Sequence, residues 1–235
     1  MKRAAKRELK YEAIYKAALK VFAEYGFKKA TIEDIAAELD TAKSSLYFYV
    51  KDKRELYDKA VAYGLRRWQD KVRDAVDSEP DVVEQFIIMA HKAYEYLSED
   101  RLLQHILMRD PALFPLFSSQ DPYSDINRDS IGMLKSILQR GILEGRFRPI
   151  DVDGVAQLLF AFYVMLIQKT YMFPEGALSR IMFKDGVDLI LSGLIAENAR
   201  KQGRQPNTPK PATDERRKSC RKNVRTSARN GPPRP

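Results

Sequence analysis

The residues of this chain best suited to chemistry with a partner stand close together: Lys43, Ser44, Ser45, Tyr47 and Phe48. Leu46, Tyr49 and Val50 form an apolar stripe at helical spacing, so Lys43, Ser44, Tyr47 and Phe48 fall on the opposite face of the same helix. An exposed face with a lysine, a hydroxyl and two aromatic rings is poor for solubility but suits a DNA groove. There a lysine meets phosphate, hydroxyls meet base edges, and rings meet sugars and thymine methyls. This is recognition chemistry rather than bond-making. The chain offers little for catalysis, because its two histidines, His91 and His105, are few and well separated. Its single cysteine, Cys220, excludes an internal disulfide and a cysteine-cluster metal site. No nucleophile elbow, phosphate loop, metal-spaced cluster or Rossmann glycine pattern is present. The sequence therefore predicts no enzyme, no cofactor and no bound metal.

The elements that must position those residues are short helices. Thr31 is placed to cap a helix, with Glu33 and Asp34 in its positive first turn. Ile32, Ile35, Ala36 and Leu39 then line one buried stripe barely two turns long, and Asp40-Thr41-Ala42 interrupts it. Two short helices joined by such a turn describe a helix-turn-helix, whose second helix lies in the major groove. The same pattern fits a helical hairpin whose aromatics are core, or an adaptor presenting Tyr47 and Phe48 to a partner protein. Before this pair, a basic arm of Lys2, Arg3, Lys6, Arg7 and Lys10 runs into a helix with Ile14, Ala17, Ala18, Val21 and Phe22 on its apolar side, closed by Gly26. The arm reads equally as a solvated helix start or as a basic arm that follows phosphate or reaches a minor groove. After the pair, Asp52 caps a further helix and Lys53 sits in its first turn, where a helix N-terminus favours an anion.

Taken together, Phe22, Gly26-Phe27, Thr31, Ile35-Ala36, Leu46-Tyr47, Tyr49-Val50, Lys53 and Leu56 resemble the DNA-binding domain of the tetracycline-repressor (TetR) family over about fifty residues. The chain departs from that pattern at Asp40, where a turn glycine is usual, at Ala42, where a serine cap is usual, and at Ser44, where a small glycine is frequent. The resemblance implies that Thr31, Lys43, Ser44, Ser45, Tyr47, Phe48, Tyr49 and Lys53 face a double-stranded operator, with Lys53 on the phosphate backbone. It also implies dimerisation through the last two helices, a regulatory pocket for a small molecule, and repression as the mode of action.

Charge divides unevenly along the chain. Residues 1–60 carry 14 Lys and Arg against 10 Asp and Glu, a net +4; residues 61–199 carry 15 against 20, a net −5; residues 200–235 carry 12 against 2, a net +10. Most of the overall +9 thus belongs to a tail rich in proline, arginine and lysine. The tail has too few apolar residues to fold alone, and is expected to be disordered. It either adds sequence-independent affinity for DNA or has no role. No uninterrupted apolar run has the length of a membrane span, and the basic N-terminus lacks the apolar core of a secretory signal. A cytoplasmic, nucleoid-associated protein with no membrane partner is the expectation.

No alternating strand pattern appears, so the fold class is all-α with about nine helices. The expected organisation is a helix-turn-helix domain over 1–51, a helical effector-binding and dimerisation domain over 52–199 with 52–77 as linking helix, and the tail from 200. Further helices are read over 82–97, 100–108, 123–144, 152–172 and 176–200, with an irregular proline-rich connection near 110–122. Residues 152–172 and 176–200 are apolar nearly all round, which requires burial on two sides and predicts a homodimer interface. Aromatic and soft side chains, His91, Tyr94, His105, Met108, Phe114, Phe117, Tyr123, Phe160 and Tyr163, are the candidates for a pocket that holds a small apolar effector. Most of them serve equally well as core.

Overall fold

The computed structural model describes residues 2–110, 121–172 and 176–196, and among them the chain is helical. The helices are α1 (Lys2–Lys29), α2 (Ile32–Glu38), α3 (Lys43–Leu46), α4 (Lys53–Asp77), α5 (Val82–Glu99), α6 (Arg101–Arg109), α7 (Ser124–Leu143), α8 (Val152–Met172) and α9 (Gly176–Leu194). Most boundaries fall within a residue or two of those the sequence predicts. The largest difference is α9, which ends at Leu194, where Ile195 pairs with Phe147 in an isolated antiparallel bridge. Arg148 N–H donates to Leu194 O at 2.9 Å and Ala196 N–H to Arg146 O at 2.9 Å, so the end of α9 is tied to the α7–α8 connection. Phe114, Phe117, the end of the expected last helix and the basic tail lie outside the described residues.

Helix boundaries follow from side chains at the caps. Asp52, Asp81 and Asp100 each accept a backbone N–H in the first turn of α4, α5 and α6. Gly26, at φ 75°, breaks α1, as expected of a residue with no Cβ, and a last turn follows it to Lys29. Asp40 adopts φ 48° in the turn between α2 and α3, so an aspartate takes the left-handed position that the family pattern gives to glycine.

Packing joins the helices into two main buried clusters. The first runs from α1 through α2, α3 and α4 to Leu97 of α5, to Leu103 and Ile106 of α6 and to Val164 and Ile167 of α8. It crosses the expected 51/52 boundary without a break, so the head and the first half of α4 share one core. The second gathers Val72 and Val76 of α4 with Phe86, Leu134, Leu138, Phe147 and Ala156. In the first cluster Gly64 lets α1 and α6 approach α4 closely: a Cβ there would lie 3.3 Å from Leu19 and 3.5 Å from Leu103. Among the described residues one helix, α8, is long and apolar enough over Val152–Lys169 to cross a bilayer, but it packs on α6, α7 and α9.

Candidate functional site

Thr31 opens the head as a reciprocal cap. Its Oγ1 accepts from Asp34 N–H at 3.1 Å, while its own N–H donates to Asp34 Oδ2 at 2.8 Å and its hydroxyl donates to the same oxygen at 2.7 Å. These donors hold the Asp34 carboxyl below its usual pKa. α2 is thereby fixed at its start, and Ile32, Ile35 and Ala36 are buried against α1. Ala42 gives α3 no side-chain cap, so the turn must position α3 through its backbone: Thr41 N–H donates to Ala36 O at 2.9 Å and Ser45 N–H to Ala42 O at 2.9 Å. α3 is a single turn, continued by turn residues to Tyr49.

Leu46 and Val50 anchor that segment in the core. On the outer side Phe48 is 86 % exposed and Tyr47 46 % exposed, beside exposed Lys43 and Ser44 and half-buried Ser45. Lys43 pairs with Glu33 of α2 and lies 5.9 Å from the Tyr47 ring centroid. The pairing lowers the Glu33 pKa and raises that of Lys43. Tyr49 faces inward instead: its ring meets Tyr11 of α1 edge-on at 5.3 Å, with Lys10 5.4 Å above it. Lys53 also turns inward. Its Nζ donates to Ala30 O at 3.0 Å and Lys28 O at 3.4 Å and stands 4.8 Å from the Phe27 ring, bracing the start of α4 against the end of α1. Thr31, Lys43, Ser44, Ser45, Tyr47 and Phe48 therefore share the outer surface of the head, whereas Tyr49 and Lys53 hold it to α1.

Behind the head, α4, α5, α7, α8 and α9 enclose a cavity of about 110 Å³. Its wall includes Leu65, Trp68, Gln69 and Val72 of α4, Phe86, Met89, Ala90 and Ala93 of α5, Ile126, Asn127, Ser130, Met133 and Leu134 of α7, Phe160, Phe162, Tyr163 and Leu166 of α8, and Phe183, Val187 and Ile190 of α9. Of the pocket residues expected from sequence, Phe160 and Tyr163 line it. Tyr94 and His91 do not line it, a correction to the expected lining, and pack instead on the wall residue Phe183, at ring distances of 4.9 and 5.8 Å. His105 and Met108 are corrections to the expected lining. Both lie on the outer face of α6, because its inward stripe is Leu103, Ile106 and Leu107. Tyr123 is a further correction, since it is buried in the first cluster between the start of α7 and α4, away from the cavity wall. Burial and the nearby carboxylates Asp58 and Asp110 push its hydroxyl pKa up. Tyr57 beside it donates its hydroxyl to Asp110 Oδ2 at 2.9 Å.

Sequence reasoning missed most of the wall, including Trp68, Gln69, Met89 and Phe183. Gln69 carried a usable signal. It continues the apolar stripe of Leu65, Val72 and Val76 at helical spacing, and a carboxamide in such a stripe must find buried partners.

An exposed aromatic and basic face on a helix-turn-helix, set on a helical body with an internal apolar cavity, defines a DNA-binding transcriptional regulator. The helix-turn-helix model for bacterial regulatory proteins of the tetR family matches residues 14–60. The HTH-type transcriptional repressor KstR2 of Mycobacterium tuberculosis is 31% identical over 143 residues, 59% of this chain and 70% of the repressor. The HTH-type transcriptional regulator YhgD of Bacillus subtilis is 26% identical over 157 residues, 66% of this chain and 80% of that protein. Among solved structures, the regulator FadR of Bacillus subtilis in complex with stearoyl-CoA superposes with a TM-score of 0.65 at 20% identity, covering 78% of this chain and 98% of FadR. The chain belongs to the tetR family of bacterial regulatory proteins. Membership in a family of bacterial transcription regulators implies a cytoplasmic location.

Proposed function

We propose that the protein is a homodimeric repressor that binds a palindromic operator through Thr31, Lys43, Ser44, Ser45, Tyr47 and Phe48 and leaves it when a small apolar effector fills the cavity. In this reading residues 1–51 are the reading head, residues 52–199 the effector-binding and dimerisation domain, and the tail from 200 adds sequence-independent affinity near the nucleoid. Tyr49 and Lys53 keep a part in DNA binding, Tyr49 by fixing the head and Lys53 through the one ammonium hydrogen its two carbonyl acceptors leave over. The observation that carries the effector half of the proposal is that one helix does two jobs. The start of α4 is built into the core of the head through Leu56, Tyr57 and Ala60, and its next turns supply Leu65, Trp68, Gln69 and Val72 to the cavity wall.

A ligand that spreads the wall displaces α4 and with it the head. Differential affinity for the two arrangements is all that release requires. The cavity is smaller than the roughly 150 Å³ cavities that admit benzene. An acyl chain as long as the one bound to FadR would need it to open several times wider. The homodimer rests on α8 and α9, whose Leu158, Met165, Ile181 and Leu189 are 68, 44, 62 and 75 % exposed in the single chain, a cost that a twofold partner removes. A helix-turn-helix gains from that partner, since two heads about one DNA turn apart read both halves of a palindrome.

The test is a gel shift on the DNA upstream of the protein's own gene, with and without candidate effectors. A saturable, sequence-specific complex released by an apolar compound is expected; binding that ignores sequence would overturn the proposal. Replacing Ser44, Ser45 or Phe48 is expected to change which sequences bind. Replacing Tyr47 weakens binding across sequences.

A further inference from the structure

We infer that the cavity takes a compact, uncharged ligand whose hydroxyl donates to the side-chain oxygen of Gln69. The inference rests on the cavity being the effector site and goes further by naming what the site selects. Among the described residues, no wall side chain is charged, so a carboxylate or ammonium inside would stand unpaired. The polar wall groups are mostly spoken for. Trp68 Nε1 donates to Ala93 O at 2.8 Å, and Asn127 Nδ2 donates to Asp121 at 2.7 Å.

Gln69 is different. It is 6% exposed, and its Nε2 gives hydrogens to Ile126 O at 2.8 Å and Ser130 Oγ at 2.7 Å. A backbone carbonyl can only accept, so the Ile126 contact fixes which end of the carboxamide is nitrogen. Oε1 is then the free end of the amide, an acceptor to which no group among the described residues donates, in a wall that is mostly apolar. A buried acceptor of this kind favours a ligand that brings a donor and disfavours one that brings only lone pairs. The same amide tethers α4 to α7, so a ligand that engages it acts on the helix that carries the head.

The probes are 2-butanol, butanone and propanoate, each of five non-hydrogen atoms and so small enough for a cavity of about 110 Å³, and different in donor and charge. Trp68 is the only tryptophan of the chain and lines the cavity, so its emission reports binding to the full-length protein. The alcohol is expected to bind roughly tenfold tighter than the ketone, the carboxylate not measurably, and Gln69→Leu to bring alcohol and ketone to near-equal affinity. Equal affinity in the unmodified protein, or preference for the ketone or the carboxylate, overturns the role of Gln69 while leaving the cavity a ligand site. No change of Trp68 emission with any probe up to its solubility overturns both. The comparison in the unmodified protein needs no variant, so it decides even if Gln69→Leu fails to fold.

Discussion

Replacing Lys53 by methionine separates two roles that its position permits. The stem survives, so packing against Phe27 is largely kept, and what is lost is the ammonium. Its hydrogen bonds to Ala30 O at 3.0 Å and Lys28 O at 3.4 Å disappear, and so does the attraction to the Phe27 ring 4.8 Å away. The first bond is well formed and the second long. A net contribution of about 1 kcal/mol from the bonds, and about 0.5 kcal/mol from a half-exposed cation over a ring, gives a loss of about 1.5 kcal/mol. Urea denaturation followed by helical signal should show this as a lower midpoint at an unchanged slope. If Lys53 also meets a phosphate, the slope of log affinity against log salt on duplex DNA becomes shallower by about 0.9. An unchanged midpoint would refute the bracing role. A changed midpoint with an unchanged salt slope would leave Lys53 a purely structural residue and remove it from the DNA contacts.

Gly141→Ala places a Cβ within 2.8 Å of the Phe147 ring, which is buried and held by the N–H of Phe147 on Gly141 O. The expected cost is about 3 kcal/mol or more in thermal unfolding, with DNA contacts untouched. Leu189→Asp, on the exposed side of α9, should leave the fold intact and shift sedimentation from dimer to monomer, with loss of operator affinity; a dimer that persists would move the interface elsewhere. The head should also fail in acid. Asp34, Glu33 and Glu55 have pKa values lowered by Thr31, by Lys43 and by the Lys51 N–H respectively. A carboxylate with a lowered folded pKa lends stability that is present above its unfolded value and is lost as pH falls through the folded one. Stability of the head is therefore flat near neutrality and declines below about pH 4, as circular dichroism against pH would show. Thr31→Ala moves the onset of that decline by removing the Asp34 contribution.

The local parts of this molecule were legible in its sequence because local physics makes them. A threonine before two carboxylates caps a helix whatever surrounds it, and Ile32, Ile35, Ala36, Leu46 and Val50 mark the inward stripes by spacing alone. That left Lys43, Ser44, Tyr47 and Phe48 outside by subtraction, and the structure has them there. The all-α class and the nearly all-round apolar character of α8 and α9 were determined in the same way.

Tertiary structure alone decided the rest. An apolar residue on a helix has the same sequence signature whether it fills a core or walls a cavity, because a cavity is the space that side chains from five distant helices fail to fill. His105 and Met108 went outward and Tyr123 into the core below the head for reasons that lie in which helices they meet. The direction of Lys53 was likewise invisible from its position in the first turn of α4. Only the approach of the end of α1 places two carbonyl oxygens within its reach and turns it inward.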